Sequence, residues 1–435
     1  MKKIMRFFPI ILALTLTISA VSVTAADQSG AVISPFSKNA VVGVKEIRFS
    51  REDFASDSAK NSRLEGIIMT ELPDKSIGSM KLGDRELLVG EAVVSASLGD
   101  LRFVPTSETE LTAGFTFLPV FKNSAGSGNV NVSIHVLNIR NNPPKADDMS
   151  LATYKNVSLF GAFAAADPEG DALTFKITGD PKKGVVTIED STNKFEYCPQ
   201  KNKTGDDSFK YVAIDKYGNM SEQATVSIKI EKAKTKTVYA DMAGNPAHYA
   251  AITLAEKGVF TGEKIGDSLF FYPDREVSRG EFVAMTVSIL GMDNLPVSRT
   301  GFADDDTTPV WVKPYMSTAL KAGIIKGVAT NDGRKVFLAE SPILRAEAAV
   351  IINNAINLAD NLPTSVFSDG DSVPVWAAQA TINVSASGIM NGYDDGTLRP
   401  GQTATRSQAA VLLCAAIEFK EKREAKNGLL GWAKQ

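Results

Sequence analysis

Three arginines, Arg279, Arg345 and Arg406, each open a segment with helical spacing, and they fall 66 and 61 residues apart. A guanidinium in the first turn of a helix joins a fixed charge to the positive end of the helix dipole. It can therefore hold a carboxylate through two parallel hydrogen bonds. Trp311 and Trp376 stand at the head of two further helical segments and offer flat apolar faces to a sugar ring, with core packing as the competing use. Asp241, Asp304 and Asp369 recur in Tyr239-Ala240-Asp241, Phe302-Ala303-Asp304 and Phe367-Ser368-Asp369. They could accept sugar hydroxyls, or serve as caps and turn formers. A fixed cation, an aromatic plane and a carboxylate together suit an anionic saccharide.

Asp167-Pro168-Glu169-Gly170-Asp171 sets carboxylates at alternate positions, and Asp215 follows later. Such oxygens suit Ca²⁺, which takes six to eight of them; a solvated turn uses the same residue types for their backbone preferences. Both readings stay open, and no other cofactor is expected. Catalysis is not expected either. The two histidines, His135 and His248, form no His-Glu-x-x-His site, and a Gly-x-Ser-x-Gly elbow and a phosphate-cradling loop with its Lys are both missing. Paired carboxylates far apart in sequence keep a glycoside hydrolase as an alternative. A formal charge of −3 argues against nucleic acid, whose binding draws on a basic excess. Cys198 and Cys414 lie more than 200 residues apart and read as small buried apolar side chains rather than a disulfide.

The elements that carry these residues begin after a secretory signal. Lys2, Lys3 and Arg6 precede an apolar run from Phe7 to Val23 and the small residues Thr24, Ala25 and Ala26, so residues 1–26 are set aside as cleaved. No later stretch reaches the roughly 20 apolar residues of a membrane span. The length calls for several domains, and two sets of internal repeats supply them.

In the first half, Phe103, Pro105, Phe115, Phe117, Val132, Ile134 and Val136 recur 94 residues later as Tyr197, Pro199, Phe209, Tyr211, Val226, Ile228 and Ile230. Gly78 is echoed by Gly184 at a larger offset, which places an insertion around Gly83 to Ala92 in the first copy. Short alternating runs between Gly, Asn, Asp and Pro predict two β-sandwich modules, 27–141 and 142–232, divided at Asn141-Asn142-Pro143-Pro144. From residue 237 the pattern turns helical. Trp311, Tyr315, Ala319, Leu320 and Ile324 form a helical stripe, and a second helix begins at Trp376. Gly258, Gly323 and Gly388, spaced 65 apart, fit left-handed helix ends. Ser278 with Glu281 and Thr405 with Gln408 form capping boxes. Leu344 has no hydroxyl, which should weaken its cap by about 1 kcal/mol. Three copies are predicted, at 237–297, 298–362 and 363–419, with a charged tail at 420–435.

The second β-module, through Asp167-Pro168-Glu169-Gly170-Asp171-Ala172-Leu173, Gly205-Asp206-Asp207-Ser208-Phe209 and Asp215-Lys216-Tyr217-Gly218, resembles the cadherin-like and immunoglobulin-like repeats of bacterial surface proteins. The helical copies carry Phe-x-Asp, Trp-Ala, Gly-Ile, Gly-Tyr-x-Asp-Gly-Thr-x-x-Pro and Thr-Arg-x-Glu-type steps, most completely from Phe367 to Gln408, and resemble S-layer-homology domains. That resemblance implies an all-α pseudo-threefold assembly whose grooves bind a secondary cell-wall polysaccharide, often with pyruvylated amino sugars, or a peptidoglycan-linked polymer. It extends the site to Arg279, Arg345, Arg406, Trp311, Trp376, Asp241, Asp304 and Asp369. The expected protein is exported, sits at the cell wall as in an S-layer, and displays its β-modules as spacers. An adhesin whose β-modules carry the specificity is the other alternative, and self-association stays open. Covalent sorting would need Leu-Pro-x-Thr-Gly; Leu362-Pro363-Thr364-Ser365 lacks the glycine.

Overall fold

The computed structural model describes residues 32–55, 63–122, 128–189, 192–259, 262–294, 296–360 and 367–432, with side chains to 426. The signal segment 1–26 and Leu362-Pro363-Thr364-Ser365 lie outside the described residues. The chain divides into two compact units: the first runs to Asn142 and includes Lys216–Asn219, and the second comprises Pro143–Asp215 and Met220 onward. The cut falls in the Asn-Asn-Pro-Pro segment.

In the first unit, strict alternation makes strands whose apolar faces meet. One sheet has the order β1-β9-β8-β3-β6 and the other β2-β7-β4-β5. The strands are β1 (Phe36–Val41), β2 (Ile47–Arg48), β3 (Leu64–Glu71), β4 (Gly78–Leu82), β5 (Arg85–Glu86), β6 (Ala92–Val94), β7 (Leu101–Pro105), β8 (Leu111–Phe121) and β9 (Val130–Leu137). Phe103, Phe115, Phe117, Val132, Ile134 and Val136 are all buried between them.

The second unit opens with β10 (Lys145–Ala146), β11 (Met149–Tyr154), β12 (Leu159–Ala162), β13 (Ala165–Ala166), β14 (Thr174–Gly179), β15 (Gly184–Ile188), β16 (Lys194–Pro199), β17 (Gly205–Ile214) and β18 (Ala224–Glu231). β10 pairs with β13, and the two larger sheets run β11-β18-β17-β14 and β12-β16-β15. This is the order of the first unit without β5 and β6. β5 lies within the stretch predicted as an insertion and β6 begins at its end; β5 extends one sheet and β6 the other. The shared glycine has a shared reason. A Cβ at Gly78 would come within 2.3 Å of the Phe103 ring, and one at Gly184 within 2.3 Å of the Tyr197 ring. The inward aromatic needs a bare backbone opposite it.

The remainder of the second unit is mainly helical rather than all-α: α1 (His248–Glu256), α2 (Arg279–Ile289), α3 (Lys313–Lys321), α4 (Arg345–Ile356), α5 (Ala378–Ala386) and α6 (Arg406–Trp432), with two short β-hairpins, Glu263–Ile265 against Ser268–Phe270 before α2 and Val328–Ala329 against Lys335–Val336 before α4. Gly258, Gly323 and Gly388 end α1, α3 and α5 with φ of 68°, 75° and 67°, as the left-handed position requires. The stripe predicted for α3 is met at Ala319 and Ile324, which are buried beside Val312 and Met316, and not at Trp311, which is 55% exposed. Trp311 lies before the helix, which starts at Lys313 with Pro314 in its first turn. The charged tail is not separate from the fold either. The helix of α6 continues through it to Trp432, as its Lys, Glu and Ala content favours, with Lys420 and Glu424 paired one turn apart.

The segment between the β-module and α1 is held in place. Tyr154 stacks on Tyr249, ring centroids 5.2 Å apart, and its hydroxyl reaches Thr253 Oγ1 (3.3 Å) and Glu256 Oε2 (3.2 Å). Lys234 N–H donates to the same Glu256 carboxylate. Tyr154 and Val157 thereby join the core of the helical region.

Candidate functional site

The three expected aspartates perform one task three times. Asp241 accepts the N–H groups of Phe271 (2.8 Å) and Tyr272 (2.7 Å). Asp304 accepts those of Phe337 (2.9 Å) and Leu338 (2.7 Å), and Asp369 those of Leu398 and Arg399 (both 2.7 Å). The second residue of each pair has positive φ: 54° at Tyr272, 58° at Leu338 and 55° at Arg399. A non-glycine residue in this region is costly, and a carboxylate holding both amides fixes it there. The backbone amides thus act on these carboxylates directly, and none of the three caps an α-helix. The amide bonds hold the Asp369 carboxyl below the usual range even though burial acts against them.

Each arginine is the first residue of its helix, as expected, and each is buried: 7% exposed at Arg279, 5% at Arg345 and 6% at Arg406. Each also reaches into the following helical stretch. Arg279 Nε donates to Phe337 O (2.9 Å), its guanidinium lies 4.8 Å from the Phe337 ring centroid, and Nη1 pairs with Glu347 Oε1 at 2.5 Å. Arg345 donates to Leu398 O (2.9 Å) and Asn391 O (3.1 Å) and packs 4.8 Å from the Tyr393 centroid. Arg406 returns to the first stretch, 5.4 Å from the Phe271 centroid, with Nη1 3.6 Å from Glu263. Burial lowers the pKa of Arg345 and Arg406 from the ordinary guanidinium value.

Backbone bonds close the same cycle. Val277 N–H donates to Ala404 O (3.0 Å), Ala404 N–H to Ile343 O (2.9 Å) and Ile343 N–H to Val277 O (2.9 Å). The caps follow the sequence. Ser278 and Glu281 exchange both bonds of a capping box, as do Thr405 and Gln408. At Leu344 only the return bond is made, from its N–H to Glu347 Oε2 (3.0 Å).

Trp376 lies in a short 3-10 turn, Val375–Ala377, and is 59% exposed. It borders a cavity of about 540 Å³ together with Arg279, Lys326, Glu347, Asn354 and Gln379. Trp311 borders a smaller hollow of about 270 Å³ beside Arg275, Glu281 and Glu340. The two tryptophans are therefore surface groups in different settings, not core. An amide ladder runs along the larger cavity. Gln379 donates to Asn383 (2.9 Å), Asn383 to Asn353 (2.9 Å), Asn353 to Asn354 (3.2 Å) and Asn354 to Ile324 O (3.1 Å). Lys326 and the amides were not among the expected site residues. The signal for the amides was in the chain: Asn353-Asn354 interrupts the apolar run Val350-Ile351-Ile352 of α4. For Lys326 it was its place three residues after Gly323, where the other stretches have Thr261 and Asn391.

In the acidic turn, Asp167 Oδ1 accepts the N–H groups of Glu169 and Asp171, both at 3.0 Å, and Asp215 is buried. Among the described residues no group of three or more His, Cys, Asp or Glu is placed to hold a metal ion. No helix among them is long and apolar enough to cross a membrane.

A β-sandwich leads into helical stretches that tie themselves head to tail. The family model described as the bacterial cadherin-like domain matches residues 141–232, and that of the S-layer homology domain matches 302–349 and 366–410. The chain is similar to an S-layer protein of Bacillus thuringiensis subsp. finitimus, 31% identical over 37% of this chain and 19% of the relative. It is also similar to the S-layer protein sap of Bacillus anthracis, with the same identity and shares. An amylopullulanase of Thermoanaerobacterium thermosulfurigenes is 27% identical over 66% of this chain and 15% of its own length. The chain thus spans less than a fifth of the length of these curated relatives. Among solved structures, the fibronectin(III)-like modules of Clostridium thermocellum CbhA cover 48% of this chain and 95% of that one at 13% identity, with a TM-score of 0.21. The protein is a cell-surface protein that carries a bacterial cadherin-like domain and S-layer homology domains.

Proposed function

We propose that residues 237–419 form three S-layer homology copies arranged about a pseudo-threefold axis, and that they fasten the protein without covalent bonds to an acidic cell-wall polysaccharide. The closed exchange of hydrogen bonds among Val277, Ile343 and Ala404 carries the threefold part of this reading. It brings the stretch 237–297, which lies outside the residues matched by the family model, into the same scheme as the other two. The binding part rests on the cavity beside Trp376, where an exposed indole, amides and Lys326 face one volume beside the paired Arg279 and Glu347, a mix of groups that suits a saccharide. Arg279 and Trp376 remain proposed contacts. Trp311 stands beside Glu281 and Glu340, and the Arg275 of the same hollow is already paired with Glu281 and Glu263, a setting that disfavours an acidic polymer. The β-modules act as spacers. The test is a pull-down of the full chain with purified wall sacculi before and after hydrofluoric acid removes phosphodiester-linked polymer. Binding lost on stripping supports the anchor, and no binding to intact sacculi sinks it.

A second reading concerns calcium in the module 142–232. Asp167 Oδ2 is buried and has no hydrogen-bond partner among the described residues, which leaves one carboxylate oxygen for a hard cation. With so few protein ligands, affinity would fall in the range of extracellular modules, roughly 10⁻⁴ to 10⁻³ M. A thermal midpoint that is the same in EGTA and in millimolar CaCl₂ rejects it.

A further inference from the structure

The cavity between α4 and α5 has a counterpart between α6 and α1. Counted back from Gly388 and Gly258, Gln379 and Asn383 of α5 correspond to Tyr249 and Thr253 of α1. Counted on from Arg345 and Arg406, Asn353 and Asn354 of α4 correspond to Cys414 and Ala415 of α6. Four amides thus become a phenol, a hydroxyl, a thiol and a methyl. The loop wall corresponds as well: Val328, which borders the cavity, matches Tyr393, and Asp394 comes next.

The 142–232 module reaches both walls of this counterpart. On the α1 side Tyr154 stacks on Tyr249, and its hydroxyl meets Thr253 and Glu256. On the loop side Lys194 of β16 pairs with Asp394. Tyr154 and Val157 belong to the helical core and not to the core of their own sandwich. The turn that presents them is held from within the module. Asn156 has φ of 65°, Thr153 Oγ1 donates to Val157 O (2.8 Å), and Asn202 N–H donates to Asn156 Oδ1 (2.7 Å).

We infer that the position between α6 and α1 is a docking site for the chain's own cadherin-like module, and that it takes no wall polymer. The inference rests on the three-copy part of the proposed function and not on its binding part. Loss of the amides removes the groups that would meet sugar hydroxyls. Tyr249 supplies instead an apolar plane, which Tyr154 covers. The first stretch also holds Pro246 where the third holds Trp376. The related positions are thus divided between two tasks, and a pull on the displayed module passes into the helical region through both walls.

The test uses the full chain and amide hydrogen exchange read by mass spectrometry. In Tyr154→Ala/Lys194→Glu, exchange should quicken about ten-fold in 248–256 and 391–399 and stay within about two-fold in 345–356 and 378–386. Tyr154 lies outside the sandwich core, so exchange in 205–214 should stay slow and verify that the module is folded. Lys194→Glu alone should quicken 391–399 by about two- to five-fold, the scale of an exposed ion pair. The swap Lys194→Glu/Asp394→Lys should restore the wild-type rate, which a general loss of stability would not allow. If the double variant exchanges as the wild type does in both segments, the docking inference is overturned. Polymer released from sacculi by hydrofluoric acid is then added to the wild type. It should slow exchange in 378–386 and leave 248–256 and 391–399 as they are; a change in those two segments, in either direction, makes the position a polymer site and overturns the inference. Polymer without effect on any segment counts against the anchor reading, and the variants alone then decide the docking.

Discussion

Nη1 of Arg279 lies 2.5 Å from Oε1 of Glu347, so the first residue of α2 is joined by charge to the first turn of α4. Both side chains are largely buried, at 9% and 19% exposure. Removing one partner leaves a charge in a poor solvent, at a cost of about 3 to 5 kcal/mol. Arg279→Ala should therefore lower the urea unfolding free energy of the helical region by about that much. The double variant Arg279→Ala/Glu347→Ala should recover part of the loss. Additive losses would mean the two groups act independently.

The aspartates that hold Tyr272, Leu338 and Arg399 at positive φ should matter for stability. Asp304→Ala removes the acceptor of two amides and frees a strained loop, so a loss of about 2 kcal/mol is expected. Denaturant titration of Asp241→Ala, Asp304→Ala and Asp369→Ala should give losses of similar size. A variant as stable as the wild type would show that the amides find water instead.

Asp305 sets an acid limit that can be isolated by difference. Lys313 Nζ lies 2.8 Å away and Thr300 donates twice to the same carboxylate, which holds its pKa at about 2 against an ordinary 3.8. A depressed carboxyl stabilises the fold above its unfolded pKa and loses that contribution as the pH falls through the folded one. The stability gap between the wild type and Asp305→Asn should thus be full above pH of about 4 and close towards about pH 2. A gap constant over that interval would mean the ion pair contributes nothing.

At Tyr154 two variants separate ring from hydroxyl. Tyr154→Phe keeps the stack on Tyr249 and loses the contacts to Thr253 and Glu256, at about 1 kcal/mol. Tyr154→Ala should cost about 3 kcal/mol or more. Burial pushes the Tyr154 hydroxyl up to about 12, so ultraviolet titration should find it un-ionised at a pH where exposed tyrosines have ionised.

Much of this architecture was legible in the chain because its signals are local. The 94-residue repeat gave the strands of both sandwiches, and the glycines and capping boxes gave the helix ends, since each rests on residues a few positions apart. The head of α3 was misread because Trp311 lies before the helix that starts at Lys313 and so does not join the face that Ala319 and Ile324 bury. The arginines could be placed at helix starts but not in the interior. Their partners are backbone oxygens 58 and 53 residues away, and a carbonyl has no residue type to betray it. The same holds for the closing bonds among Val277, Ile343 and Ala404.

The three-way exchange also sets an order of events. During synthesis and export Val277 and Ile343 emerge well before Ala404, and until then the Val277 amide and the Ile343 carbonyl lack their partner. The β-modules wait in the same way, since β1 finds its partner only when β9 is made and β11 only when β18 is made. Each unit is thus closed by its own last segment, and in the helical region the stretch that carries Ala404 acts as the clasp.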